Sequence, residues 1–300
     1  MPPWGHIMKI KPIAVICIMI VAAVWLTASP LMAENFLWQI ADPKGGRAYI
    51  MGSVHLAHEG LYPLRDPIMK AFADSSALAV EIDMDALPPD ALPAFIITHG
   101  LSRDQRPLPE RLTEGTRTLL ENSGHYNSLT MARMTPWLAA LNIQVDELVA
   151  RGFESKYGLD EYFINLAKTR KMPIVSLETL DDQMSMLTEM SDHEADLFLK
   201  STLLEINDLP ETIGAFLDTW NRGDVAGFTQ VFFQEYDKYP DLLPLLDKII
   251  FRRNEKIAAK INRLISRKTV YFIVVGAGHL VGDRSVLAHL AARGYTITQL

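Results

Sequence analysis

Cysteine is nearly missing from this chain: one thiol, Cys17, stands among 300 residues. That excludes a disulfide framework, and it excludes zinc ribbons and fingers, each of which takes several thiolates. Positive charge is scarce as well, with 29 Lys and Arg against 36 Asp and Glu and a formal net charge of −7. A chain without a basic field has nothing to draw a nucleic acid, so no nucleic-acid partner is expected. Neither Gly-x-x-x-x-Gly-Lys-Ser/Thr nor Gly-x-Ser-x-Gly occurs, which disfavours nucleotide-driven chemistry and the common type of serine hydrolase. Gly276-Ala277-Gly278 opens like a dinucleotide loop, but Val281 takes the place of the third glycine and the fingerprint fails.

What is present begins with an address. Lys9 and Lys11 precede an unbroken apolar run over residues 13–26. Spanning a bilayer takes about 20 residues, so this shorter run suits a secretory signal, with cleavage after Ala33 and Met8 as an alternative start. The competing reading keeps it as an uncleaved anchor, the chain's one route to a membrane. Cleavage removes two lysines and the only cysteine, leaving 27 Lys and Arg against 36 acids, net −9. Such a thiol-free chain suits the periplasm or the extracellular medium.

Beyond residue 33, strand and helix patterns alternate, which predicts a single α/β domain over 34–300 with a mainly parallel sheet. Stretches 36–40 and 47–51 flank Asp42-Pro43-Lys44-Gly45-Gly46 and read as a hairpin. A helix over 64–73 and a strand over 77–82 follow. A large helical insertion covers about 88–155, broken by prolines, with Thr135-Pro136 starting a helix to Ala150. Helix 160–169 and strand 173–177 lead into a helical stretch over about 181–267. The chain closes with strand 270–275, helix 285–292 and strand 295–299, a βαβ unit with parallel strands. Strands ending at Glu81, Glu178 and Gly276 deliver polar groups to the carboxyl edge of one sheet, where open α/β folds bind ligands.

Two Gly-x-x-His segments occupy equivalent places, Gly52-Ser53-Val54-His55 and Gly276-Ala277-Gly278-His279, each directly after a strand. Glycine lets the backbone turn sharply, and a histidine on the loop beyond meets water and ligand. The plainer alternative is two solvated turn histidines. Glu81 sits near the end of an apolar strand, with Asp83 on the same face by the two-residue period. A carboxylate buried there needs a cation, a histidine or a metal as partner; otherwise Glu81 is an exposed strand end. Glu178 repeats the pattern after Ile174-Val175-Ser176-Leu177. His55, His58 and Glu59 do not make a zinc helix, because the order is wrong and Gly60 and Pro63 leave little helix. From spacing alone, Arg252-Arg253-Asn254-Glu255 reads as a solvated helix face.

With these residues in view, the chain resembles the TraB/PrgY/gumN family over about residues 36–300. The matching segments are Tyr49-Ile-Met-Gly-Ser-Val-His55, Leu61-Tyr-Pro-Leu64, Leu78-Ala-Val-Glu-Ile-Asp83, Tyr157-Gly-Leu-Asp160, Ser176-Leu-Glu-Thr179, Arg253-Asn254 and Val274-Val-Gly-Ala-Gly-His-Leu-Val-Gly282. The resemblance implies that the family's two Gly-x-x-His motifs and its acid fall on His55, His279 and Glu81; it gives His58 no role. Among the animal relatives, the Tiki proteins are membrane-associated metalloproteases that use a divalent ion such as manganese or cobalt. The wider superfamily looks like that of the erythromycin esterases, which activate water with His and Glu and no metal, and of ChaN-like haem-binding lipoproteins.

The first expectation is therefore a periplasmic hydrolase of a peptide or other amide or ester bond, with His55, Glu81, His279 and Arg253 at the carboxyl edge. In a metal version His55, Glu81 and His279 hold Mn, Co or Zn, and Glu178 or Asp160 orients a ligand or completes the shell. In a metal-free version a histidine takes the water's proton, a carboxylate fixes its tautomer, and Arg253 holds an anionic substrate or oxyanion. The second expectation is a non-catalytic protein that captures a peptide or a polysaccharide-export partner in the same cleft. Trp137, Trp220, Phe232, Phe233 and Tyr236 could cover that cleft, although such aromatics are more often core.

Overall fold

The computed structural model describes residues 34–104, 106–265 and 268–300. The expected signal, its cleavage after Ala33 and Cys17 lie outside the described residues. Strands β1 (Leu37–Ala41) and β2 (Arg47–Ser53) form the expected hairpin, with Leu37 opposite Met51 and Ala41 opposite Arg47. Strands β3 (Ala77–Val80), β4 (Ile174–Ser176), β5 (Tyr271–Gly276) and β6 (Thr296–Gln299) complete one sheet, ordered β4-β3-β5-β2-β1-β6. Neighbours β4, β3, β5 and β2 are parallel, so the fold is α/β with a mainly parallel sheet. Phe272, Ile273, Val274 and Val275 of β5 are fully buried. At roughly 1.5–3 kcal/mol per buried side chain, that run drives β5 into the middle, where both faces are covered.

The last strand keeps the expected parallel sense but is not a neighbour of β5. β6 points the same way as β5 but pairs antiparallel with β1, Trp38 opposite Gln299 and Ala41 opposite Thr296. Thr296-Ile297-Thr298-Gln299 alternates between exposed and half-buried positions, the pattern of an edge strand. The doubly covered slot beside β5 goes instead to β2, buried from Ala48 to Ser53.

Ten helices of six residues or more are described: α1 (Asp66–Ala73), α2 (Glu114–Asn122), α3 (Pro136–Ala150), α4 (Leu159–Thr169), α5 (Leu180–Thr188), α6 (Asp192–Glu205), α7 (Leu209–Arg222), α8 (Val225–Lys238), α9 (Arg252–Leu264) and α10 (Val286–Ala291). Their starts follow local chemistry. Thr135 caps α3 through its hydroxyl, with Pro136 in the first turn. Capping boxes open α5 and α6, Thr179 with Asp182 and Ser191 with Glu194. One core joins the sheet to Ile68 and Phe72 of α1, Phe163 of α4 and Ile257 and Ile261 of α9. A second joins Leu120 of α2, Ala140 and Ile143 of α3 and Leu199 and Leu203 of α6. Helices far apart in sequence thus share an apolar centre, and Asn35–Leu300 forms one compact unit. Among the described residues no helix is long and apolar enough to cross a membrane.

Candidate functional site

Four parallel strand ends lie side by side, and each delivers a group to the same edge. His55 follows β2, Glu81 follows β3, Glu178 follows β4, and β5 ends at Gly276 before a short 3₁₀ turn, Ala277–Leu280, that carries His279. The two glycines of the Gly-x-x-His motifs therefore belong to strands, and His279 sits on a helical turn instead of an open loop. Glu81 is at the centre and buried. Its Oε1 accepts the Gly276 N–H at 2.6 Å, and its Oε2 accepts from Arg253 Nη2 at 2.8 Å and Gln183 Nε2 at 3.2 Å. Arg253 also donates through Nε and Nη2 to both oxygens of Glu178, at 2.9 and 2.6 Å. One buried guanidinium is thus shared by two buried carboxylates. Its Nη1 donates to the Ile249 carbonyl at 3.3 Å, so its donors are committed within the protein.

The solvated face expected over residues 252–255 is wrong for Arg253 and Asn254, which are buried. A π-helical turn at Asp247–Phe251 leads straight into α9, whose first turn points these two side chains at the strand ends. Such turns recur at functional sites. Glu178 consequently holds Arg253 and not a histidine, while Asp160 does contact one.

Each histidine is anchored through Nδ1. His55 Nδ1–H donates to Asp160 Oδ2 at 2.9 Å. Gly158 makes this possible: a Cβ there would lie 2.3 Å from the His55 carbonyl oxygen, so only glycine lets the start of α4 come so close. Leu159 N–H then bonds the Val54 carbonyl at 3.0 Å, and Asp160 falls beside the ring. At His279, Asn254 plays the corresponding part. Asn254 Nδ2 donates to the Arg284 carbonyl at 2.7 Å, which turns Oδ1 toward His279 Nδ1 at 2.6 Å. His279 therefore carries its proton on Nδ1 and a lone pair on Nε2, which stands 3.7 Å from Glu81 Oε1. A Cβ on Gly276 would lie 3.2 Å from Glu81 Oε1, 3.5 Å from His279 Cδ2 and 3.7 Å from His55 Nε2. The three groups converge on a strand position that has no side chain.

The two imidazoles differ in charge. The Asp160 carboxylate raises His55 to about 9, against the opposing effect of desolvation, so the ring is cationic at neutral pH. Its side chain is 60% exposed, and salt screens that attraction. Burial lowers His279 to about 4 despite the pull of Glu81, so this ring is neutral. Burial would raise Glu81, but His279, His55, Arg253 and the Gly276 N–H outweigh it and hold the carboxyl at about 2. With His279 neutral at pH 7, Arg253 and His55 are the cations that act there.

These shifts set a stability profile. Between about pH 6.5 and 4 the unfolded chain takes up a proton at residue 279 that the folded chain refuses, so stability falls as pH falls through that window. Glu81 has the depressed carboxylate's sign: its contribution is complete above about 4.5 and is lost as pH falls toward 2. His55 has the opposite sign, its contribution complete below about 6.5 and lost as pH rises through about 9. In chelator-treated protein the denaturant midpoint should rise from pH 4 to 6.5, and His279→Gln should flatten that rise. A slope that survives the substitution would place the titrating group elsewhere.

Two cavities meet at this site and share His55, Glu81 and Gln183. The larger, about 540 Å³, is lined by apolar side chains including Phe153, Phe216, Leu217 and Phe232. The smaller, about 430 Å³, includes Asp85, Asp160 and Glu161. Of the aromatics considered as a cover, Trp137 and Trp220 are core, and Trp220 Nε1 donates to the Gly52 carbonyl at 2.8 Å. Phe232 lines the larger cavity, with Phe233 packed against it and Tyr236 against Phe233. His58 packs edge-on to Phe153, outside the Glu81 cluster.

Gln183 and Asn254 are site residues to which the sequence reading assigned no role. The capping box at Thr179 was a usable signal for Gln183, since it fixes where α5 starts. For Asn254 the signal was its place beside Arg253 in one matching segment.

Two imidazole nitrogens and a carboxylate oxygen suit zinc, cobalt or manganese in kind. Asp160 and Asn254 are outer partners of the type that orient ligand histidines. The 3.7 Å between His279 Nε2 and Glu81 Oε1 is a little wider than the roughly 3.4 Å between two ligands on a tetrahedral ion. Among the described residues no group of three His, Cys, Asp or Glu side chains is placed to hold an ion as it stands.

The model of the TraB/PrgY/gumN family matches residues 36–299. The uncharacterized protein YbaP of Escherichia coli (strain K12) is 23% identical over 266 residues, covering 84% of this chain and 92% of that protein. The metalloprotease TIKI1 of Homo sapiens is 23% identical over 324 residues, covering 88% of this chain but 61% of that longer protein. A metalloprotease TIKI homolog from Amphimedon queenslandica is 38% identical over a 58-residue segment, 19% of this chain and 11% of that protein. No solved structure matches.

Proposed function

The chain belongs to the TraB/PrgY/gumN family, and we propose that it is a periplasmic or secreted, metal-dependent hydrolase of a peptide or other amide or ester bond. The observation that carries this reading is the convergence of His55 Nε2, Glu81 Oε1 and the His279 ring on the missing side chain of Gly276. Similarity to proteins named metalloproteases supports it. A divalent ion held by His55, His279 and Glu81 would supply a Lewis acid that lowers the pKa of a water and polarises a carbonyl oxygen.

The protein's own groups prepare that chemistry. Asp160 and Asn254 keep each Nδ1 occupied and each Nε2 turned inward. Arg253 and the Gly276 N–H hold Glu81 ionised, so it accepts and does not donate. His55 must give up its proton before its Nε2 can serve as a ligand, so ion loading improves as pH rises. Arg253 acts by fixing Glu81 and Glu178, and its committed donors leave it no free N–H for a substrate oxyanion.

A second reading is favoured by one observation, that Glu81 Oε2 is already shared by Arg253 and Gln183. In it no ion binds: neutral His279 Nε2 takes the proton of a water lying between it and Glu81, and cationic His55 faces the oxyanion. Turnover of fluorogenic peptides and esters by chelator-treated protein, with and without added Mn, Co or Zn, separates the two. Metal-restored turnover is expected; turnover indifferent to both treatments would favour the second reading, and no turnover at all would favour a binding protein.

Gly276→Ala probes the convergence point. Its φ of −51° suits alanine, so little strain follows, but the methyl group would press on Glu81 Oε1. A fall in kcat/KM of about 10-fold is expected, because the contact makes Glu81 give by a few tenths of an ångström and catalysis is sensitive to such shifts. The unfolding midpoint should barely move, and an alanine variant with full activity would remove Gly276 from the site.

A further inference from the structure

We propose that the larger cavity is a specificity pocket for a peptide substrate, receiving a large apolar side chain next to the bond that is cut. The inference rests on the hydrolase reading, because it concerns the same site. Half-buried Ile213, Phe216 and Leu217 lie three and four residues apart on one face of α7, and all line the cavity. Leu148 of α3, Phe153 and Phe232 of α8 close it from other segments.

At about 540 Å³ it falls within the range of small-molecule and cofactor sites, roughly 300–1,000 Å³, which leaves ample room for one large apolar side chain. Among the described residues, its charged or imidazole-bearing lining is His55, Glu81, Arg253 and His279, the reactive group itself. Ser53 also lines it, and the buried Ser53 hydroxyl has no hydrogen-bond partner among the described residues. An apolar chamber opening directly onto reactive polar groups selects by burying an apolar substituent while the scissile bond stays at the wall. Hydrolysis there adds water across one amide: the carbonyl carbon gains the hydroxyl oxygen, the C–N bond breaks, and the departing nitrogen takes the proton.

The test pairs cleavage with binding, so that the pocket and the hydrolase reading can fail separately. Internally quenched peptides that differ at one position, Leu, Phe or Met against Ser, Asp or Lys, are compared on the wild type, Leu217→Asp and Leu148→Asp. Calorimetry follows binding of the corresponding N-methyl-amide peptides, which resist cleavage. An apolar preference of at least about 10-fold in kcat/KM, lost in either aspartate variant that folds, is expected. Apolar peptides that bind through Leu217 and Leu148 without being cut would uphold the pocket and overturn the hydrolase. Cleavage with less than about a threefold preference, or turnover confined to an aliphatic ester such as p-nitrophenyl decanoate, would overturn the pocket for peptides.

Discussion

Arg253→Met should cost on the order of 3–5 kcal/mol of folding stability at neutral pH, the range for breaking a buried ion pair from one side. The size follows from what is left behind. Glu81 and Glu178 are each about 3% exposed, and one Nη2 serves both, at 2.8 and 2.6 Å. Without the guanidinium, two carboxylates face each other in a buried site, and at least one must take up a proton or draw in water. For a chain of this size such a loss lowers Tm by roughly 10 °C. Lysine will not substitute well, because a single ammonium lacks the planar fork that grips Glu178 through two nitrogens while reaching Glu81. The triple variant Arg253→Met, Glu81→Gln, Glu178→Gln should regain much of the loss, since neutralising a whole buried cluster is often tolerated. A thermal scan of the wild type and the three variants checks this. A loss under about 1 kcal/mol for Arg253→Met would mean the carboxylates do not need the arginine.

The second large effect is on turnover. His279→Ala should lower kcat/KM by on the order of 10³-fold or more, because it deletes the buried neutral imidazole whose Nε2 faces Glu81. Asn254→Ala leaves that ring in place but removes its Nδ1 partner and the orientation it imposes, so a smaller loss of about 10- to 100-fold is expected. The two losses should not add in the double variant, since Asn254 acts only through His279. Steady-state kinetics on all three decides it. Equal losses for His279→Ala and Asn254→Ala would make both merely structural.

Much of this architecture is legible in the sequence. The strand ends at Glu81 and Gly276 and the start of α3 at Thr135-Pro136 depend on local period and local caps, and the structure has them where those signals put them. Where the reading went astray, the deciding contact lay far along the chain. Arg253 reads as one charge in a solvated run until its partners, 75 and 172 residues away, are in place. β6 follows β5 by only a short helix, yet its position depends on whether β2 has already filled the doubly buried slot. The bond between His55 and Asp160 spans 105 residues, and it came within reach only because Tyr157-Gly-Leu-Asp160 was among the matching segments.

In the metal-dependent reading His55, Glu81 and His279 hold one ion. Metal content measured by plasma mass spectrometry settles this on the purified chain after reconstitution at pH 8 with Mn, Co or Zn and removal of the excess. Wild type should retain about one ion per chain, while folded His279→Ala retains none. A wild type that hydrolyses peptides yet holds no metal, or a His279→Ala variant that keeps its full complement, would contradict it.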